Sequence, residues 1–303
     1  MSVAKRIFLF IALNFLVMIT ISVVLRLLNV GPYLNSMGLN YISLAIWCLV
    51  WGMGGALISL ALSRKMAKWA MGVQLIDPKT ASPQEASLLQ TVYALARTAN
   101  LHTMPEVGIF HSKEPNAFAT GPSRSRSLVA VSSGLLDRMS EGELKAVLAH
   151  EIAHVANGDM VTMTLLQGVI NAFVMFLARV LAFVISGLGK NRNEESRGSY
   201  GSFYALTMVF EIVFMVLGSL IVCAYSRARE FRADAGGAKF AGKENMIQAL
   251  QALQSSKVTP DPRTENGAIA AFKISRPSKR GLLHLFSTHP PLEERIARLR
   301  KTM

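Results

Sequence analysis

Two histidines and a glutamate stand close together in the stretch LAHEIAHVANGD, from Leu148 to Asp159. His150 and His154 are four positions apart, so on a helix both imidazoles project from one side and can bind one metal ion. Glu151 directly follows the first histidine and can accept a proton from a water held by that ion. This HExxH arrangement therefore predicts a zinc site with a general base. The alternative is a pair of surface histidines on an ordinary helix.

A second stretch, SRAREFRADAGGAKFA from Ser226 to Ala241, offers the further ligand that a catalytic zinc site needs. Such sites usually take three protein ligands and leave a fourth position for water or substrate. Glu230 can complete the ligand set, and Asp234, one helical turn later, can accept a hydrogen bond from a ligating histidine. A compatible alternative is that both acids form salt bridges with the three neighbouring arginines: Arg227, Arg229 and Arg232.

The helix that must position the histidines can also be predicted. Ser140 followed by Glu143 is a capping box, so the helix should begin at about Glu141. Apolar residues recur at helical spacing and predict one buried face: Leu144, Val147, Leu148, Ile152 and Val155. Asn157 and Gly158 would then weaken or end the helix.

The composition favours a membrane protein, because 51% of the 303 residues are hydrophobic and 17% are charged. Two N-terminal apolar runs, Ile7–Leu28 and Leu39–Leu62, each exceed the roughly 18 to 20 residues that cross a hydrocarbon core. Two later runs, Val161–Leu188 and Phe203–Tyr225, each contain a charge that is costly at mid-bilayer: Arg179 and Glu211. The alternative for this second pair is a packed hairpin that only dips into the membrane, and the mixed charge of the connecting loop Gly189–Ser202 leaves the choice open.

Lysine and arginine predict the orientation, because short cytoplasmic loops are enriched in them. Basic residues flank the first two runs on one side, while the connection 29–38 has no charge. This arrangement predicts a cytoplasmic N-terminus and a cytoplasmic segment from Ser63 to Met160. The net charge of +13 is scattered and has no nucleic-acid-binding motif around it, so anionic lipid headgroups are the expected partner.

The part of the chain between the two pairs of apolar runs predicts a small α+β domain. Pro83–Asn100 has amphipathic helical spacing, and three short β-rich pieces follow: Glu106–Phe110, Ala117–Thr120 and Leu128–Ser132. These pieces predict a small antiparallel sheet beside helices. Ser255–Gly281 is predicted as a mobile loop. Cys48 and Cys223 fall in apolar runs, so they predict buried thiols and no disulfide framework or CxxC metal site.

Four motifs occur along the chain: PNAFATG at 115–121, HEIAH at 150–154, EFRAD at 230–234 and STHPPLEERI at 287–296. With the apolar runs, they resemble the bacterial HtpX-type heat-shock membrane proteases, relatives of the CAAX prenyl proteases in the gluzincin group. The resemblance covers nearly the whole chain. It implies an α+β membrane protein, with a mainly helical zincin-like (gluzincin) catalytic domain, a small antiparallel sheet and two to four transmembrane helices.

The resemblance also implies roles for particular residues. His150, His154 and Glu230 would bind one zinc ion per chain, with Glu151 as the general base and Asp234 as the hydrogen-bond partner of a histidine ligand. His289 would lie near the oxyanion, although a histidine before two prolines sits on a stiff turn and could equally be structural. An edge strand would pair with extended substrate unless other protein shields it; it contains Asn116, Ala117, Phe118 and Ala119, and extends to Thr120.

The expected organisation is an N-terminal transmembrane hairpin at 1–65, cytoplasmic catalytic parts at 66–160 and 226–303, and a second apolar hairpin at 161–225. The expected function is zinc-dependent cleavage of cytoplasmic segments of misfolded or damaged membrane proteins, in membrane quality control under stress. Expected partners are membrane-protein and unfolded-polypeptide substrates and the lipid bilayer, without nucleic acid. The expected location is the bacterial inner membrane, multi-pass, with the active site facing the cytoplasm. Two alternatives are a CAAX-type protease acting on lipidated C-termini and a non-catalytic zinc-containing membrane scaffold.

Overall fold

The computed structural model describes residues 40–188, 197–255 and 281–301. The first predicted apolar run, Ile7–Leu28, lies outside these residues, as do most of the loop Gly189–Ser202 and of the predicted mobile segment Ser255–Gly281. The elements of the described part, in chain order, are α1 (Tyr41–Met71), β1 (Gln74–Leu75), α2 (Pro83–Thr98), β2 (Glu106–Phe110), β3 (Ala117–Ser123), β4 (Arg126–Ser132), α3 (Ser133–Arg138), α4 (Glu141–Asn157), α5 (Asp159–Leu188), α6 (Arg197–Ala241), α7 (Lys243–Ser255), a 3₁₀ helix (Gly281–Phe286) and α8 (Leu292–Lys301).

The chain divides into two compact units. The first comprises residues up to 58 together with 162–222, and the second comprises 59–161 together with 223–303. Within the described residues, α1, α5 and α6 are long and apolar enough to cross a bilayer. The fourth apolar run and the EFRAD motif belong to one continuous helix, because α6 extends over 45 residues without a break.

In the first unit, the two charges that make spanning costly pair with each other. Nη1 of Arg179 donates a hydrogen bond to Oε1 of Glu211 at 2.6 Å and another to the carbonyl oxygen of Met175 at 2.9 Å. The same guanidinium lies 5.0 Å from the ring centre of Trp47. Because charges inside a membrane are tolerated when they are paired, this contact weakens the objection to spanning by α5 and α6.

The surfaces of α1 and α6 suit a lipid environment. Large apolar side chains are exposed along them: Val50, Trp51, Ile58, Ile212, Met215 and Leu217. Cys48 packs in an apolar cluster with Phe176 and Val180. Both cysteines are buried free thiols, as predicted.

The second unit contains a four-stranded sheet in the order β1-β2-β4-β3. β1 pairs with β2 and β3 with β4 in antiparallel orientation, but β2 and β4 are parallel, with Val107 opposite Val129. The predicted sheet is therefore present, but the prediction that it is antiparallel is wrong for its central pair. Apolar patterning identifies strands without giving their order, and here β4 inserts between β2 and β3 instead of extending a meander.

Helix α4 carries the HExxH motif and runs from Glu141 to Asn157, with the predicted capping box at its start. Oε2 of Glu143 accepts a hydrogen bond from the backbone N–H of Ser140 at 2.8 Å. Every residue from Ala146 to Val155 is buried, because β3, α2 and α7 all pack against this helix. The sequence predicts one buried face, whereas the fold encloses the second half of the helix on all sides.

The C-terminal end of α1 covers the other face of the sheet. Ala67 and Met71 pack there against an apolar layer from the strands: Phe110, Phe118, Leu128 and Ala130. Arg64 and Lys68 contact the Glu106 carboxylate at 3.2 and 2.7 Å. These contacts explain why α1 continues beyond the predicted end of the apolar run at Leu62.

Two glycines allow α6 to lie close against α4 at the histidines. A Cβ atom at Gly236 would lie 2.7 Å from Cβ of Ala153, and one at Gly237 would lie 3.2 Å from the backbone nitrogen of His150. Both separations are shorter than an ordinary van der Waals contact of a methyl group. The glycine pair therefore sets the distance between the two helices that carry the motif residues.

We expect Gly236→Ala to destabilise the second unit, because its methyl group must push α6 away from Ala153. Overpacking of this kind typically costs about 1–3 kcal/mol. Gly201→Ala is the matched control, since it lies in the same helix and a Cβ there meets nothing within 4 Å. Thermal unfolding in detergent should show a lower midpoint for Gly236→Ala and an unchanged or higher midpoint for Gly201→Ala. Equal midpoints would mean that α6 does not pack tightly on α4.

Candidate metal centre

Two helices bring the predicted metal ligands together. α4 supplies His150 and His154, and α6 supplies Glu230. Among the residues that the structure describes, these three form the one group of His, Cys, Asp and Glu side chains that could hold a metal ion, with ligand atoms within 4.8 Å of one another. The fold therefore joins two motifs that lie far apart in the sequence.

The spacing of the ligand atoms fits a tetrahedral zinc ion. Nε2 of His150 lies 3.2 Å from Nε2 of His154, and the two nitrogens lie 3.5 and 3.4 Å from the carboxylate oxygens of Glu230. Zinc–ligand bonds of about 2.0–2.1 Å at tetrahedral angles place ligand atoms roughly 3.3–3.4 Å apart. Three ligands leave one coordination position open, which is typical of catalytic rather than structural zinc.

Asp234 lies one helical turn beyond Glu230, where it meets both His150 and an arginine. Its Oδ1 lies 3.0 Å from Nδ1 of His150. The guanidinium of Arg295, a fully buried residue of α8, donates to both carboxylate oxygens of Asp234 at 2.8 and 2.6 Å. A proton on Nδ1 of His150 leaves the Nε2 lone pair for a metal ion, which is the arrangement that such an aspartate favours.

The charged groups of the site shift one another's pKa values. Burial alone would raise the pKa of Asp234, but Arg295 and His150 outweigh it and lower that pKa to about 2. Burial would likewise raise the pKa of Glu230, but His289, His154 and His150 hold it well below its usual range. For His150, burial would lower the pKa, but the adjacent carboxylates of Asp234 and Glu230 raise it to about 9. Both carboxylates are therefore ionised near neutral pH.

Asp159 is a residue of the site that the sequence analysis does not identify. Gly158 ends α4 in the left-handed conformation, with φ 64° and ψ 39°, and Asp159 begins α5 immediately afterwards. Nδ1 of His154 donates to Oδ2 of Asp159 at 2.7 Å, with both side chains buried. Each histidine of the motif thus has its own aspartate. The signal in the sequence is the Gly-Asp pair directly after the helix.

Glu151 directly follows the candidate ligand His150 on α4. Its side chain is buried on α4, and its charge is close enough to Arg295 to help raise the pKa of that guanidinium. The structure therefore keeps the candidate base out of bulk solvent. Its role as general base stays a prediction.

His289 lies directly against the third candidate ligand. Its Nδ1 is 2.9 Å from Oε2 of Glu230, and the hydroxyl of Ser287 donates to its carbonyl oxygen at 2.7 Å. This position brings His289 to the metal centre and is compatible with the predicted place near an oxyanion. The contact with Glu230 is an additional interaction that the sequence does not indicate.

The three arginines around EFRAD have different partners. Arg229 donates to Oε1 of Glu230 at 2.8 Å, so the salt-bridge interpretation holds for this residue. Arg232 lies over the ring of Tyr225, with its Cζ 5.5 Å from the ring centre. Arg227 donates to backbone carbonyl oxygens instead of binding an acid. The main cation of Asp234 is Arg295, which the sequence analysis does not assign to the site.

The predicted substrate strand lies at an edge of the sheet. β3 is the last strand in the order β1-β2-β4-β3 and pairs with β4. The side chains of Asn116, Ala117 and Phe118 are buried, and α4 packs against this strand. The strand therefore runs beside the helix that carries His150 and His154, and its role in substrate binding stays a prediction.

Comparison with known proteins shows relatives along the whole chain. Residues 82–303 match the model of Peptidase family M48. The chain is 50% identical over 305 residues to the Protease HtpX homolog of Bacillus subtilis (strain 168), covering 98% of this chain and 99% of that protein. It is 51% identical over 298 residues to Protease HtpX of Thioalkalivibrio sulfidiphilus (strain HL-EbGR7), covering 98% of each.

A solved structure shares the fold at low sequence identity. The crystal structure of S. mikatae Ste24p is similar with a TM-score of 0.53 and 17% identity, over 92% of this chain and 65% of that chain. With the sequence matches, this similarity confirms the resemblance that the four motifs indicate, and with it the mainly helical fold, whose described residues include three long apolar helices.

We expect Asp159→Asn to weaken zinc binding while leaving the three ligands in place. The amide removes the negative charge that orients and polarises His154, and loss of such a partner typically costs about 10–100-fold in metal affinity or activity. Zinc affinity, measured by competition with a chromophoric chelator, should fall for Asp159→Asn and stay unchanged for Asp137→Asn, an exposed aspartate of α3. Wild-type affinity in Asp159→Asn would show that this contact does not support the ligand.

Proposed function

Because this chain belongs to peptidase family M48, we propose that it is a membrane-bound zinc endopeptidase that cleaves cytoplasmic segments of misfolded or damaged membrane proteins. The family match, the HtpX relatives and three candidate spans make it a membrane metalloprotease. The observation that carries the proposed chemistry is that Glu151 lies on the same buried helix as His150 and His154, which converge with Glu230. Its cofactor is one zinc ion per chain.

Each side chain of the site has a defined part in peptide hydrolysis. His150, His154 and Glu230 would hold the zinc ion, which when bound would supply Lewis acidity and lower the pKa of water toward about 7. Glu151 accepts the proton of the attacking water and returns it to the leaving amine. His289 donates a hydrogen bond to the oxygen of the scissile carbonyl as negative charge develops there. Asp159 and Asp234 keep the Nδ1 protons of the two histidine ligands in place.

The substrate binds as an extended segment along β3. The side chains of Asn116, Ala117 and Phe118 are buried, so the strand offers a partner mainly its backbone. Main-chain pairing at a sheet edge gives affinity with little dependence on the substrate's side chains. Such binding suits an enzyme that must accept many unfolded sequences.

The site residues follow or precede apolar helices closely in the chain. His154 lies five residues before Asp159, the first residue of α5, and Glu230 lies five residues after Tyr225, the end of the fourth apolar run. Tyr225 and Glu230 lie on one continuous helix, so at about 1.5 Å per residue Glu230 is roughly 8 Å along α6 from the apolar run. This proximity supports substrates that are themselves in the membrane, and the basic residues after Leu62 support a site on the cytoplasmic side.

We expect Glu151→Gln to abolish proteolysis without removing zinc. The amide keeps the size of the side chain but cannot accept the proton, and general acid–base catalysis contributes typically about 10²–10⁴-fold. The measurement is cleavage of an unfolded model substrate by detergent-purified protein, with bound zinc counted in the same samples. Glu141→Gln, an exposed glutamate at the start of the same helix, should retain both activity and zinc.

The outcomes separate the candidate functions. Zinc-dependent cleavage that disappears in Glu151→Gln alone supports the protease mechanism. A zinc-loaded wild type that cleaves neither an unfolded protein nor a membrane protein would favour the scaffold. A lipidated peptide cleaved much faster than its unmodified form would favour the CAAX-type activity.

We expect the second unit to face the cytoplasm. Asp77 is exposed in that unit, so Asp77→Cys, in a chain whose two buried cysteines are replaced by alanine, reports the orientation. A membrane-impermeant maleimide should label this cysteine only after the inner membrane is permeabilised. Labelling in cells whose outer membrane alone has been opened would place the site on the external side and contradict the proposed substrates.

A further inference from the structure

One face of α6 holds the segment from Leu285 to Arg295 at three points. Arg227 donates to backbone carbonyls of this segment, Glu230 contacts His289, and Asp234 binds Arg295. Positions 227, 230 and 234 have helical spacing i, i+3 and i+7, so they share one side of the helix. The helix that supplies the third candidate ligand is therefore also the surface on which this segment docks.

The Arg227 contact closes the turn that precedes His289. Its Nη1 donates to the carbonyl oxygen of Leu285 at 2.8 Å and to that of Ser287 at 2.9 Å. Carbonyl groups at the end of a helix lack partners within it, and a cationic side chain can satisfy them. Here the 3₁₀ helix ends at Phe286, and the backbone N–H of Ser287 donates to the carbonyl oxygen of His284 at 3.0 Å.

Little freedom remains between this anchor and the imidazole. The Ser287 hydroxyl donates to the carbonyl oxygen of His289 at 2.7 Å, and Pro290 and Pro291 follow with restricted backbone angles. Nδ1 of His289 lies 2.9 Å from Glu230, three residues after Arg227 on α6. Both ends of the stretch 287–289 are thus fixed by the same helix.

We propose that Arg227 is a positioning residue for His289, holding the Leu285–Ser287 turn so that the imidazole stays at the metal centre. This inference rests on the proposed protease function, because it assigns Arg227 an effect on the catalytic step. Arg227 itself acts through backbone carbonyls. A displacement of about 1 Å in a catalytic group can cost roughly 10²-fold in rate, so loss of the anchor lowers turnover without loss of a metal ligand.

The test compares Arg227→Ala, Arg227→Lys, His289→Ala and the double variant Arg227→Ala/His289→Ala in the unfolded-substrate assay, with zinc content measured in each. We expect kcat to fall about 10–100-fold in Arg227→Ala, with KM and zinc content nearly unchanged. Arg227→Lys should recover part of the activity, because an ammonium group can donate to two carbonyls. The double variant should be no slower than His289→Ala. Lys239→Ala, an exposed cation of the same helix, should have wild-type activity.

Hydrogen exchange provides a readout that does not depend on proteolysis. The Ser287 amide should exchange at least tenfold faster in Arg227→Ala than in the wild type, while amides of α4 keep their protection. Unchanged exchange at Ser287 would overturn the proposed anchor even if no substrate were cleaved. Two results would overturn the link to His289. One is faster exchange at Ser287 in an Arg227→Ala variant that keeps wild-type kcat, and the other is a double variant whose fold-loss of kcat equals the product of the two single fold-losses. Failure of the wild type to cleave would instead count against the proposed function.

Discussion

Neutralisation of buried negative charge is the constraint on which the site depends. Four acidic side chains are buried around the two motif histidines: Glu151, Asp159, Glu230 and Asp234. An ionised carboxylate is costly to bury unless opposite charge and hydrogen bonds compensate it. Arg229 contacts Glu230 and Arg295 contacts Asp234, so each of these two carboxylates has a guanidinium beside it. A divalent cation held by the ligand set would add positive charge among the same buried acids, so charge and ligand geometry both favour the same ion.

The close packing of two helices follows from that constraint. The histidines of α4, and a metal ion held by them, can compensate the carboxylates of α6 only if the two helices approach closely, and Gly236 and Gly237 provide the room. The carboxylates of Asp234 and Glu230 raise the pKa of His150 against the effect of burial, so they favour positive charge at this position. Because a ligating histidine must be unprotonated, a proton and a metal ion compete for the same nitrogen.

Local signals in the sequence predict the parts of the site that depend on local structure. The Ser140–Glu143 capping box and the HExxH spacing define α4, and the four-residue spacing of Glu230 and Asp234 places both on one face of α6. Strand order is not local, so the parallel pairing of β2 with β4 was not predictable from apolar patterning. The extension of α1 likewise depends on contacts with the sheet that its own residues do not indicate.

Asp159 and Arg295 could not be assigned from the sequence, because one depends on a change of chain direction and the other on a partner far away in the chain. Asp159 follows His154 by five positions, a spacing that would place it away from the histidine on a continuous helix; the left-handed Gly158 brings it back. Arg295 lies among charged residues of a short helix, where an arginine is ordinarily exposed. It becomes identifiable only when the buried Asp234 is known to need a cation.

The order of these elements along the chain has a consequence for assembly of the site. α4 and Asp159 can form from neighbouring residues, but Glu230, Asp234 and Arg295 follow after α5 and most of the apolar part of α6. A chain that has made only α4 holds two histidines and lacks the third ligand of the group. The complete ligand set, and the charge balance that favours it, therefore form only after both apolar helices have been made. This order couples metal binding to completion of the membrane-associated fold.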